Sequence, residues 1–165
     1  MNNRMQELNT LFVDTFDAIR QVEEKSLKHV GGGKLSIAEF HTLECISEGE
    51  DNRRTVGEIA EALNVTVPTV TVCVNKLVKK GYAAKMRSET DARVAYVELT
   101  REGRKMNRLH RYFHEQMLGA IDEEFSEEEM EYLLRCIRKL NMFFKEKSEK
   151  NPHLKRSVYH EREDC

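Results

Sequence analysis

The chain has 165 residues, 39 % hydrophobic and 34 % charged, with two prolines and eight glycines; that suits one ordinary domain, or a small domain with a dimerisation appendage, and excludes two large domains and the collagen-like and disordered classes. No apolar run approaches the ~18 residues of a transmembrane helix, and Met1–Thr10 is polar where a signal peptide would be apolar, so a cytoplasmic protein without a membrane partner is expected. The net charge of −2 is unevenly spread: residues 53–105 hold eleven Lys or Arg against six Asp or Glu, while both flanks are net acidic. A cationic centre between acidic flanks is the footprint of a nucleic-acid binder whose other parts do something else.

In chain order, Arg4 to about Lys28 carries Leu8, Leu11, Phe12, Thr15, Ile19 and Val22 at helical spacing and ends at Gly31-Gly32-Gly33. Ser36 with Glu39 is a capping box that opens a helix bearing Ile37, Phe40, Leu43 and Ile46. A polar loop, Glu48 to Arg54, follows. Thr55 with Glu58 caps a short helix whose Ile59, Ala60 and Leu63 face inward, and Asn64-Val65-Thr66 turns into a helix from Val67 to Lys80, stopped by Gly81. Helix, tight turn, helix is the DNA-binding helix-turn-helix pattern. Tyr82–Arg87 and Val94–Leu99 read as a hairpin wing around the turn Ser88–Ala92. Thr100 then caps a helix to Glu124, and Ser126 with Glu129 opens a last helix carrying Met130, Leu133, Leu134, Ile137, Leu140 and Phe144. The expected fold is therefore mainly α with a small β-hairpin. Residues 34–100 form a winged helix-turn-helix domain, 1–33 and 101–147 a helical dimerisation region, and 148–165 a flexible tail. The terminal helices carry more apolar stripe than a small winged domain covers, which points to a homodimer.

On the second helix of the motif, Val67, Val70, Val74, Leu77 and Val78 share one side, while Pro68, Thr69, Val72, Asn75, Lys76 and Lys79 share the other. An apolar β-branched Val72 inside a polar face suits contact with thymine methyls. Pro68 can do the same, Thr69 and Asn75 can hydrogen-bond base edges, and Thr66 and Lys76 are placed to grip phosphates. No Arg lies on this face, so an A·T-rich duplex is expected, and a dimer's two-fold axis makes it an inverted repeat. Arg93 suits the negative potential of a narrow minor groove, with Asp91 orienting its guanidinium. Arg53, Arg54, Lys79, Lys80, Lys85 and Arg87 add sequence-independent phosphate attraction.

The helix-turn-helix, Asp91-x-Arg93 in the wing and Val97-x-Leu99-Thr100-x-x-Gly103 after it together resemble the MarR family of transcriptional regulators over roughly residues 4–146. Further strings, among them Ile37-Ala38-Glu39-Phe40-His41-Thr42, Lys80-Gly81-Tyr82 and Arg108-Leu109-His110-Arg111-Tyr112-Phe113-His114, resemble the branch that represses fatty-acid synthesis in Gram-positive bacteria. That resemblance implies a repressor whose corepressor is a long-chain acyl group on acyl carrier protein, with no resident cofactor. Ala92 departs from it, standing where many members have Arg.

Phe12, Phe16, Ile19, Phe40, Met106, Leu109, Phe113 and Met117 supply apolar surface for an acyl cavity near the dimer interface, with His41 and His110 beside it. Arg108 and Arg111 are candidate contacts for the acidic carrier. The alternative effector is a metal: His110 and His114 are one helical turn apart, as are His41 and Cys45, and a zinc-responsive sensor would use His41, His110 and His114. Catalysis is not expected, because there is no nucleophile elbow and no Gly-rich phosphate loop after a strand. A thiol switch at Cys45 or Cys73 is disfavoured, since neither shows a neighbouring cation in the sequence.

Overall fold

The computed structural model describes residues 2–31, 34–87 and 94–150, with side chains at 2–27, 34–87 and 94–147. Among them run α1 (Asn3–Gly31), α2 (Ile37–Ser47), a 3-10 turn (Glu50–Asn52), β1 (Arg53–Thr55), α3 (Val56–Ala62), α4 (Val67–Lys79), β2 (Ala83–Arg87), β3 (Ala95–Leu99), α5 (Arg101–Glu124) and α6 (Glu127–Lys150). This is the mainly helical, winged helix-turn-helix fold expected. The wing is larger than a hairpin: β1 joins it to make an antiparallel sheet of order β1-β3-β2, with Arg54 and Lys85 both opposite Val97.

Helix starts follow local chemistry. Both halves of a capping box form at Ser36/Glu39 and at Thr55/Glu58, and Thr66 and Thr100 accept from Thr69 and Gly103 backbone N–H groups. Each supplies a partner to an otherwise orphaned donor of the first turn. At the other end of α4, Gly81 takes φ +79°, the left-handed conformation that turns the chain into β2. Gly103 answers a different demand. A Cβ there would collide with the Tyr82 carbonyl oxygen, which already accepts the Thr100 N–H at 3.1 Å. The glycine of the Leu-Thr-x-x-Gly string is therefore what lets α5 start against the root of the wing.

The core gathers Phe40, Leu43 and Ile46 of α2, Ile59 of α3, Val70, Val74 and Leu77 of α4, and Val97 and Leu99 of β3, all 3 % exposed or less. Val67 and Val78, expected on the inward side of α4, are 51 % and 37 % exposed instead. They flank the inward stripe, and the neighbouring elements reach only its centre. Glu39 is buried with both carboxylate oxygens engaged: the Ser36 N–H donates to one, and Lys80 Nζ reaches the two at 2.6 and 2.7 Å. Lys80, expected among the general phosphate-attracting cations, is thus tied to Glu39, while its own side chain stays 38 % exposed. Outside the winged domain the picture reverses. Leu8, Leu11, Phe16, Ile19 and Val22 of α1, and Leu134, Ile137, Leu140, Phe143 and Phe144 of α6, are all exposed in the single chain.

Candidate nucleic-acid interface and effector site

The outer face of α4 carries the residues named for it. Pro68, Val72, Asn75 and Lys76 are exposed, Val72 by 53 %, and Thr66 is exposed at the N-cap. Thr69 is half-buried, and its hydroxyl shares a 2.8 Å hydrogen bond with that of Thr66. The face is rigid because its opposite side, Val70, Val74 and Leu77, is core. Arg87 is exposed at the end of β2, on the way to the wing tip. Asp91 and Arg93 lie outside the described residues.

Among the general cations, Arg53 and Arg54 also have specific partners. Arg53 pairs with Asp51 at 3.1 Å and lies over the Tyr96 ring, 4.8 Å from its centroid. Arg54 Nη1 donates to Cys45 Sγ at 3.0 Å. This corrects the expectation that the thiols lack a neighbouring cation: Arg54 arrives from β1, a strand the sequence reading missed. Burial still pushes the Cys45 thiol up, against the pull of Arg54, so the contact does not make a reactive thiolate. Burial likewise raises Cys73, whose Sγ lies 3.2 Å from Thr42 Oγ1.

A second constellation sits where α1, α2 and α5 meet. Glu23 Oε1 is 3.1 Å from His110 Nε2, 3.5 Å from His41 Nε2 and 3.7 Å from His114 Nε2, and the His110 and His114 Nε2 atoms are 3.1 Å apart. His110 is fully buried and stacks on Phe40, with ring centroids 5.2 Å apart. Burial holds its pKa below the ordinary imidazole range despite the bond to Glu23. Its Nδ1 has no hydrogen-bond partner, and Glu44 Oε2 stands 3.7 Å away.

The donor set tests well as a metal site. Three imidazole nitrogens and one carboxylate oxygen lie within 4.8 Å of one another. Metal–nitrogen bonds of ~2.0–2.1 Å in a tetrahedron set ligand atoms about 3.3 Å apart, close to the spacings found. With Nε2 on an ion, Nδ1 would carry the proton and point at Glu44, the carboxylate support such ligands usually have. The histidine trio was anticipated and Glu23 was not. Its signal was present: an acid four residues after Ile19 and four before the buried Leu27 lies on a helical face otherwise apolar.

The apolar lining is only partly as expected. An open cleft of about 520 Å³ is lined by Val22 of α1 and by Phe113, Gln116, Met117, Ala120, Ile121 and Glu124 of α5, with Phe125 after it. Phe113 and Met117 belong to it, and Phe113 packs against the His114 ring. Phe40 and Met106 do not, because the winged-domain core buries both, and Leu109 is packed against that core. Phe12 and Phe16 stack on each other along α1, with Phe16 64 % and Ile19 46 % exposed, and none of the three lines the cleft. Arg108 and Arg111 are exposed on α5 on either side of His110. No helix among the described residues is long and apolar enough to cross a membrane.

Comparisons with known proteins agree with this geometry. The family described as transcriptional regulator SarA/Rot matches residues 25–109, a span that runs from the end of α1 through the wing to the first turns of α5, stopping just before His110. A crystal structure of Streptococcus pneumoniae FabT in complex with DNA is similar at 33 % identity and TM-score 0.81, covering 86 % of this chain and 98 % of that one. An uncharacterised HTH-type transcriptional regulator of Bacillus subtilis, YhjH, is 29 % identical over 127 residues, 75 % of this chain and 70 % of its own length. The transcriptional regulator AdcR of Streptococcus pyogenes is 32 % identical over 101 residues, 59 % of this chain and 67 % of its own. The chain belongs to the SarA/Rot family of transcriptional regulators, winged-helix DNA-binding proteins of the MarR type.

Proposed function

We propose that the protein is a homodimeric repressor of fatty-acid-synthesis genes that binds an A·T-rich inverted repeat and responds to long-chain acyl groups on acyl carrier protein. The observation that carries the reading is the apolar cleft between α1 and α5, set against the histidine cluster and opening beside the exposed faces of α1. Its volume lies in the range of ligand sites, and each methylene buried there contributes ~0.8 kcal/mol. Similarity to FabT over nearly the whole of both chains supports the same branch. The apolar faces that α1 and α6 leave exposed support the homodimer, since a second copy offers the same surfaces in return. A ligand seated between α1 and α5 acts by its preference for the dimer geometry that spaces the two α4 helices for DNA. The carrier would meet Arg108 and Arg111, the cations nearest the cluster on the outer side of α5.

The decisive experiment measures operator affinity at one salt concentration with long-acyl, short-acyl and unloaded carrier protein. A gain confined to the long-acyl carrier supports the reading, and three superimposed curves refute it while leaving DNA binding intact. Arg93→Ala is expected to weaken operator binding with little effect on folding; unchanged affinity would remove the minor-groove role.

A second reading is favoured by one observation, the four converging ligand atoms of Glu23, His41, His110 and His114. In it the effector is a divalent cation such as zinc, and α1, α2 and α5 are drawn together around it. Titration of the chelated protein with zinc separates the two: a large rise in operator affinity without any acyl carrier would make the metal the signal.

A further inference from the structure

Asn75 stands on the DNA-facing side of α4, and its amide already has a partner: Lys85 Nζ of β2 donates to Asn75 Oδ1 at 2.8 Å. An ammonium group carries only donors, so the amide atom facing it is the oxygen, and the NH2 end is the end left to face outward. Ten residues separate the pair in sequence. They meet because Gly81 turns the chain from α4 into a strand that packs back on it.

We infer that Lys85 is a specificity-determining positioning residue: by holding Oδ1 beside a positive charge it makes Asn75 read base edges mainly as a donor. The inference rests on α4 being the helix that enters the groove. An unrestrained Asn side chain pairs with adenine in two places, accepting from N6 and donating to N7. Here one of the two lone pairs of Oδ1 is committed to a charged donor, and charge-assisted hydrogen bonds are roughly twice as strong as neutral ones. An adenine N6–H reaching for the other lone pair meets the Lys85 ammonium, which has the same polarity, and the contact at N6 is weakened. The outward NH2 group is taken alike by thymine O4, by guanine O6 or N7 and by adenine N7, so adenine loses its two-point advantage. Lys85 then sets which bases are accepted at one position of each half-site, although it need not touch a base. The other role open to an exposed lysine here is a phosphate grip, which adds affinity at every sequence and discriminates none.

The two roles separate in a selection from a randomised duplex library, run with wild type, Lys85→Met, Lys85→Arg and Asn75→Ala, followed by affinity measurements at two salt concentrations. Wild type is expected to disfavour cytosine, whose edge offers only a donor, and to show no preference for adenine over thymine or guanine at one position per half-site. Lys85→Met turns that position to adenine, a change in relative affinity of roughly five- to hundredfold, the range of one good bidentate contact. Lys85→Arg still offers donors to Oδ1 and restores the wild-type preference, and Asn75→Ala abolishes preference at that position alone. Should Lys85→Met enrich the wild-type motif with uniformly lower affinity and a salt slope reduced by about one, Lys85 grips phosphate and the inference falls. It falls equally if Asn75→Ala leaves the motif unchanged. Enrichment of no motif by the wild type would overturn the reading of α4 as the recognition helix, and the inference with it.

Discussion

Replacing Gly103 by alanine sets two known effects against each other. Helix propensity alone favours alanine by up to ~1 kcal/mol in the body of a helix. Against that stands the contact described above: the new Cβ would overlap the carbonyl oxygen of Tyr82, a backbone atom that cannot rotate away. Relief requires α5 to lift from the root of the wing. Lifting stretches the Thr100 N–H bond to Tyr82 and the 2.7 Å bond from Thr100 Oγ1 to the Gly81 carbonyl. Each lost hydrogen bond costs ~1 kcal/mol, and forcing extra volume into a packed site adds ~1–3 kcal/mol. The clash wins, and a net loss of about 2–3 kcal/mol is expected. Gly57→Ala is the matched control, because a Cβ there meets only Thr55 Oγ1 at 3.9 Å, so it should be neutral or slightly stabilising. Both are measured by denaturant unfolding at one protein concentration, since association shifts apparent stability. An unchanged or raised midpoint for Gly103→Ala would refute the argument that close approach, and not helix termination, fixes this glycine.

Phe40→Ala should destabilise by about 3–5 kcal/mol, because it opens a cavity in the fully packed core, and it also removes the ring on which His110 stacks; a loss under 1 kcal/mol in the same unfolding assay would contradict its place there. Backbone and side-chain hydrogen bonds from Thr55 hold the Glu58 carboxyl below its ordinary range, and Ser126 does the same for Glu129. Groups with lowered folded pKa contribute stability that is present above the ordinary carboxylate range and lost as pH falls through the folded value. Glu58→Gln should accordingly flatten the loss of stability between about pH 5 and 3, and identical acid limbs for variant and wild type would count against the capping role. Thr100→Ala removes the N-cap of α5 and is expected to cost ~1 kcal/mol or somewhat more, given its added bond to Gly81.

Local chemistry made most of the helix boundaries legible. Ser36, Thr55, Thr66, Thr100 and Ser126 each announce a helix within four residues, because capping is settled inside one turn. Strand β1 was not legible: Arg53-Arg54-Thr55 shows no alternation, and it is a strand only because β3 offers it an open edge. Pairings that join distant parts of the chain were hidden for the same reason. Nothing near Glu39 in sequence indicates Lys80, forty-one residues on, and nothing near Cys45 indicates that Arg54 will fold back onto it. The histidines were visible as an i, i+4 pair on α5, whereas their convergence with Glu23 depends on how α1 crosses α5. The apolar lining of the cleft was legible in kind but not in place, since periodicity identifies an apolar face without saying whether it meets core, cleft or a second chain.

The bond between Glu39 and Lys80 constrains how the molecule can move. Glu39 lies in the first turn of α2, the helix that carries Phe40 and His41 to the histidine cluster, and Lys80 closes α4, the helix whose outer face carries Asn75 and Val72. Parting them would leave the buried Glu39 carboxylate without its charged partner, a cost that favours moving the two helices together. The two helices therefore travel as one lever. In the proposed dimer, adjustment of the distance between the two α4 helices falls to elements outside that lever, such as the start of α5 at Gly103. Under the proposed function, a small displacement at the histidines would then reach the outer face of α4 as a rotation of the two helices together.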